Sequence, residues 1–255
     1  MKRSLTSFST IARKEMTRIF RIWMQTLVPP VIMISLYFII FGGFIGSQLS
    51  DISGYSYMAF IAPGLIMMSI ITNSYSNTVS SFFSTKFQRN IEELLVSPTP
   101  NWVIVLGYIS GGMTRGISIG ILVSIVSLVF IRLPFFNIFY IVLFAFLTSF
   151  VFSLAGMING IFAKKFDDIS IIPTFVITPL TYLGGVFYSI SLLPEFWQTL
   201  SKANPIVYMI SGFRYGFLGI SDINIWTGIG MLILFSVLLF SLTLYLLKKG
   251  IGIRT

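Results

Sequence analysis

Residues 135–168 read FFNIFYIVLFAFLTSFVFSLAGMINGIFAKKFDD, and no charge interrupts the chain from Phe135 to Ala163. An apolar helix needs about 20 residues to cross a hydrocarbon core of about 30 Å. The run is long enough, and it ends on a compact charged loop, Lys164-Lys165-Phe166-Asp167-Asp168. The same template recurs on both sides. Upstream, Arg132-Leu133-Pro134 makes a tight turn after the run Asn101–Ile131, which only Arg115 interrupts. The run Ile52–Thr85 precedes it, with Pro63-Gly64 predicting a kink or a late helix start. The first run is Ile22–Ser50. Pro29 and Pro30 fall near its start, where missing donors cost least, and Phe41-Gly42-Gly43 loosens its far end. Downstream lie Ile169 to about Leu192 and Ile225–Leu247. The expected fold is an all-α integral membrane protein. Its transmembrane domain covers 22–252, with six transmembrane helices at about 25–47, 57–83, 103–131, 135–163, 169–190 and 225–247.

Three segments break the template. In residues 1–21, Arg13, Lys14, Arg18 and Arg21 alternate with Leu5, Phe8, Ile11, Ala12, Met16, Ile19 and Phe20. Spacings of three and four put these sets on opposite faces, predicting an amphipathic interface helix along the membrane surface. A signal peptide fits poorly, because the basic region is too long and no small-residue cleavage site follows. In residues 86–97, Lys86, Arg89, Glu92 and Glu93 surround Ile91, Leu94, Leu95 and Val96, and Pro98 and Pro100 close the segment. The pattern predicts a short amphipathic helix ended by a proline-rich turn. Residues 193–222 are too broken for one span and too apolar for a free loop. Short helices dipping into the external membrane surface fit, provided protein covers their backbone.

Composition agrees and excludes. Hydrophobic residues are 55% of the 255, charged residues only 10%, and there are 26 Phe. A soluble domain carries about a quarter charged residues. With no Cys and no His, disulfides, Cys/His zinc sites and Ser-His-Asp or Cys-His nucleophiles are excluded. Asp167-Asp168 beside Lys164-Lys165 reads as a self-paired loop rather than a metal site. The net charge of +9 gathers between apolar runs, which points to loops that set orientation and not to nucleic acid. The N-terminal segment, 86–101, 164–168 and the C-terminal tail hold 13 of the 17 basic residues. Positive loops stay inside, so both termini are expected in the cytoplasm, as an even number of spans requires.

Candidate site residues are few. Gly112, Gly116, Gly120 and Ser124 recur every fourth residue, as do Gly156 and Gly160. Such rows let helix backbones approach, within one chain or between subunits. Arg115 is the charge well inside a span. It could line a path for an anionic substrate, snorkel to a headgroup, or bond backbone carbonyls near the glycines. Glu92 and Glu93 beside Leu94 and Leu95 are either a solvated loop or a docking element for a cytoplasmic partner. No Gly-x-x-x-x-Gly-Lys-Ser/Thr loop occurs, so the chain has no such site for ATP, and no cofactor is expected on it. A secondary transporter would need ionisable groups near the midplane. A membrane enzyme would need convergent acids, and a structural subunit would need neither.

Family resemblance enters at the C-terminal half. Pro179-Leu180-Thr181-Tyr182-Leu183-Gly184-Gly185-Val186-Phe187, Leu193-Pro194-Glu195-Phe196-Trp197, Asn204-Pro205 and Gly212-Phe213-Arg214 resemble the C-terminal signature of ABC-2 type transporter permeases. Arg89-Asn90-Ile91-Glu92-Glu93-Leu94-Leu95-Val96-Ser97-Pro98 is similar to that family's first cytoplasmic loop. The resemblance covers essentially the whole chain. It implies an exporter of the bacterial inner membrane in which two copies of the permease form a dimer. Two separate ATPase subunits would dock beneath, holding ATP and Mg. It also implies that 86–97 is a coupling helix, with Arg89, Glu92, Glu93, Leu94 and Leu95 at the docking site. Residues 193–222 would be re-entrant helices and 1–21 the interface helix.

Overall fold

A computed structural model describes residues 2–46, 51–52 and 54–252. Residues 47–50 of the first run and Arg254 of the basic tail lie outside the described residues. The described residues are helical apart from loops and one isolated bridge between Ile52 and Tyr55. Among them, five helices are long and apolar enough to cross a membrane. In chain order these are α2 (Trp23–Tyr37), which continues as a π-helix over Phe38–Ile45, α3 (Tyr57–Phe87), α5 (Asn101–Phe130), α6 (Ile138–Phe162) and α11 (Ile225–Lys249). The intervening helices are α1 (Lys2–Arg21), α4 (Asn90–Val96), α7 (Asp168–Ile172), α8 (Thr178–Tyr182), α9 (Glu195–Lys202) and α10 (Pro205–Leu218).

The expected fifth span differs from its prediction. Helix α7, a π-helix at Pro173–Ile177 and α8 are five residues each. At 1.5 Å per residue they rise about 22 Å, short of the core thickness. The turn at Gly184-Gly185 ends the stretch, and its prolines divide it. The Pro173 carbonyl accepts from the Thr178 backbone N–H, a five-residue step, and from its hydroxyl at 2.8 Å. Pro179 removes the next donor. Prolines in the other spans act differently. Helix α3 starts six residues before Pro63, with the Ser56 hydroxyl accepting from the Ala59 N–H, so there is no late start. Pro29 and Pro30 lie inside α2, well past its first turn.

Helix α3 is the axis of the molecule and is buried along most of its length. Its flanks are α5 and α6, and α10 fits against α6. There the backbone N–H groups of Phe136 and Asn137 donate to Phe217 and Gly216, at 3.1 and 2.8 Å. Helix α1 is not spread freely on a surface. Ile11, Ala12, Glu15 and Ile19 are buried. A Cβ at Gly107 would lie 2.6 Å from Ile11, and one at Gly111 2.7 Å from the Cβ of Glu15, so α1 runs alongside α5 in the same direction. Leu5, Met16 and Phe20 form an exposed apolar stripe beside the exposed Arg13, Lys14 and Arg21, which suits an interface between lipid and water.

Candidate functional site

The segment between α3 and α5 is built from a sharp turn. Arg89 sits in the left-handed region (φ 61°), its N–H donating to the Lys86 carbonyl and its own carbonyl accepting from the Glu92 N–H. That turn starts α4 with Glu92 and Glu93 in its first turn, where acids oppose the positive helix end. Both acids and Arg89 are exposed, while Ile91 is buried. Leu94 and Leu95 are half-buried and pack on the core, so they are poor free anchors. Among the apolar groups this end of the molecule presents are Val96, Phe87 and Phe166, exposed by 86, 60 and 52%. A cleft of 390 Å³ opens there between Phe87, Arg89, Glu92, Phe162 and Lys164.

Its walls are held in register. The Lys86 ammonium donates to the carbonyls of Ile161 (2.5 Å) and Ala163 (2.8 Å) and so closes the end of α6. Asp168 accepts from the backbone N–H groups of Lys164 (2.8 Å) and Lys165 (3.0 Å). Those bonds hold its carboxyl below the usual carboxylate range.

Arg115 lies near the middle of α5 and lines a 270 Å³ pocket between α2, α3 and α5. Its Nε is buried without a hydrogen-bond partner. The glycines around it face other helices. Cβ atoms at Gly112 and Gly116 would collide with Thr78 and Ser74 of α3, and one at Gly120 would lie 2.7 Å from Ile70. A Cβ at Gly156 would meet the Tyr75 carbonyl at 2.5 Å, and one at Gly160 the Phe82 ring at 3.2 Å. Both rows therefore receive α3, whose inward face carries Ser74, Asn77, Thr78, Ser81 and Thr85.

Two charge pairs escaped the sequence reading. Glu15 is fully buried; it accepts from the Ser81 hydroxyl at 2.6 Å and pairs with Arg18 at 3.3 Å. Arg18 also donates to the Asn77 side chain at 2.9 Å. The signal was an acid at position 15 within an otherwise basic helix. Arg214, which falls in the broken stretch 193–222, is 1% exposed. It donates to the Gly185 carbonyl at 2.5 Å, pairs with Asp222 at 3.4 Å and stacks 3.9 Å over the Phe60 ring. Asp222 in turn accepts from the Ser189 hydroxyl. This knot ties the glycine turn after α8 to α10 and to the loop before α11. Gly185 (φ 79°) turns that chain where a side chain would be strained.

Comparison with known proteins gives a consistent picture. Residues 6–218 match the family described as ABC-2 type transporter. The chain is 58% identical to the inner membrane transport permease YadH of Escherichia coli (strain K12), covering 98% of this chain and 97% of that one. It is 26% identical to nodulation protein J of Rhizobium leguminosarum bv. trifolii, over 82% of this chain and 80% of that one.

Proposed function

Because the chain belongs to the ABC-2 type transporter family, we propose that it is the permease subunit of an ATP-driven exporter in the bacterial inner membrane, working as a dimer of two copies. It is a membrane transport permease; ATP and Mg belong, on this reading, to two copies of a separate ATPase subunit. The observation that carries the docking assignment is the exposed Arg89, Glu92 and Glu93 set, beside the 390 Å³ cleft and flanked by exposed Phe87 and Val96. Exposed charges give orientation and specificity, and the apolar groups give contact area.

Closure of the ATPase pair on ATP would push α4. Because Ile91 is buried and Leu94 and Leu95 pack on the core, that push would reach α3 and α5 as a rigid-body shift. The energy enters through the partner's different contacts with the two states.

The test is affinity purification from native membranes in mild detergent with nucleotide. Recovery of a subunit with a phosphate loop, in equal copy number, is expected. The chain recovered alone would overturn the reading. In the double variant Glu92→Lys, Glu93→Lys, recovery of that subunit should fall at least several-fold, and unchanged recovery would remove α4 from the docking site. Ion-coupled transport is not favoured, since the buried acid Glu15 is already committed to Ser81 and Arg18.

A further inference from the structure

Helices α5 and α6 run back from the short turn that joins them and leave a groove of 330 Å³ between them. On α5 its wall is Ile117, Ile121, Ser124, Ile125 and Leu128, the spacing of one helix face. On α6 the wall is Ile138, Val142, Ala145 and Phe146, while Ile66, Ile70, Phe213 and Phe217 close the inner side. Ile121, Ile125, Val142 and Phe146 are exposed, so the groove opens on the outside of the bundle. Ser124 carries the one polar side chain among the lining residues, and its hydroxyl donates to the Gly120 carbonyl at 2.8 Å. A hollow of this chemistry stays dry and takes hydrocarbon. From Ile117 to Leu128 it rises about 16 Å. That is about the depth of one leaflet, half of a hydrocarbon core of about 30 Å. Spread over that length, the volume leaves a channel about 5 Å wide. A helix, about 10–12 Å across with its side chains, does not fit. A single hydrocarbon chain does, since carbons in contact lie about 3.5–4.0 Å apart. Arg132 sits in the turn between Leu128 and Phe135, both of which line the groove. It is exposed, and among the described residues it has no ion-pair partner. The turn between two spans lies at headgroup level, so a free positive charge stands at the end of the groove where a phosphate would be.

We propose that this groove seats one resident bilayer phospholipid, with an acyl chain between α5 and α6 and its phosphate at Arg132. The chain lies along the helices and touches α3, α5, α6 and α10 at once, filling a gap that their side chains leave. The lipid is a structural ligand and not cargo. Its site shares no lining residue with the Arg115 pocket, and it holds whatever the protein transports.

The full chain is placed in nanodiscs of phosphatidylethanolamine with a diazirine in one acyl chain, moved into dodecyl maltoside, washed and irradiated. Mass spectrometry of peptides then locates the adducts. The reference is the α11 face at Ile233, Leu234, Val237 and Leu238, which is as exposed but does not line the groove. At least fivefold more adduct is expected on the groove residues of α5 and α6 than on that face. Ala145→Phe, which fills the groove, should remove the excess and leave the α11 signal unchanged. Ile125→Trp does the same from an exposed position and guards against misfolding of the first variant. Arg132→Gln leaves the channel open and should lower the groove signal two- to threefold. Equal labelling of the two faces, at any level, means surrounding bilayer lipid only and overturns the proposal. Groove labelling that both filling variants leave unchanged overturns it as well. Efficient disulfide formation between two copies of an Ile121→Cys variant would cover the groove with a second copy instead, and also overturns it. None of these results depends on an ATPase, so the transporter reading stands or falls separately.

Discussion

Single residues carry most of the polar cohesion, and they do so in pairs. Arg214 is the clearest case. Its charge is satisfied by Asp222, by the Gly185 carbonyl and by the Phe60 ring, so removing the acid leaves a buried cation with one anionic partner gone. Asp222→Ala should lower stability by about 3 kcal/mol. Asp222→Asn, which keeps an acceptor for Ser189, should cost less. Thermal unfolding in detergent checks the order, and equal midpoints for wild type and Asp222→Ala would show that the knot does not hold the fold. Of these residues, sequence marked Arg115 because a charge inside an apolar run is conspicuous. Arg214 and Glu15 were hidden for the opposite reason. Each lies among other charges or in a broken stretch, and burial there depends on what folds over it.

At the level of elements, small residues decide how near two helices come. Gly112, Gly116, Gly156 and Gly160 were legible as rows because the spacing of four is a property of the helix itself. Their common partner, α3, was not legible, nor was the third row, at Gly107 and Gly111, that receives α1. Position within the bundle sorts glycines of one composition into two kinds. A Cβ at Gly156 meets the Tyr75 carbonyl at 2.5 Å, whereas one at Gly230 meets nothing within 4 Å. Gly156→Ala should therefore destabilise by about 2 kcal/mol, since backbone must move. Gly230→Ala should be neutral or stabilising by up to about 1 kcal/mol through helix propensity. Unfolding midpoints of the two variants in the same detergent test this, and a loss at Gly230 as large as that at Gly156 would refute the packing account.

For the whole molecule, the number of crossings and the side of each terminus are linked. Five long helices alone would place the termini on opposite sides, whereas the basic-residue distribution leads to the expectation of both inside. On that expectation the segment 168–224 would supply the sixth crossing in pieces, with α7 to α8 rising about 22 Å and α10 covering a further stretch. Because the chain contains no cysteine, single labels report cleanly. Ser4→Cys and Ile251→Cys, the latter at an exposed position, should react with a membrane-impermeant thiol reagent from the same, cytoplasmic side, and Ser221→Cys from the other. Labelling of positions 4 and 251 from opposite sides would mean that 168–224 does not cross.

Sequence alone determined the class of the protein, the long spans, the amphipathic first helix and the short acidic one. Those follow from hydrophobicity and helical period, which are local and additive along the chain. The family was equally legible, because its motifs lie within short windows. Tertiary structure alone decided that α3 is the axis, that Glu15 and Arg214 are buried with partners while Arg115 is not, and that Leu94 and Leu95 face the core. It also decided which glycines are indispensable. These depend on contacts between residues tens to more than a hundred positions apart, such as Glu15 with Ser81 and Tyr57 with Phe187. A residue's neighbours along the chain set its conformation, but only its neighbours in space set whether its charge is paired and its surface covered.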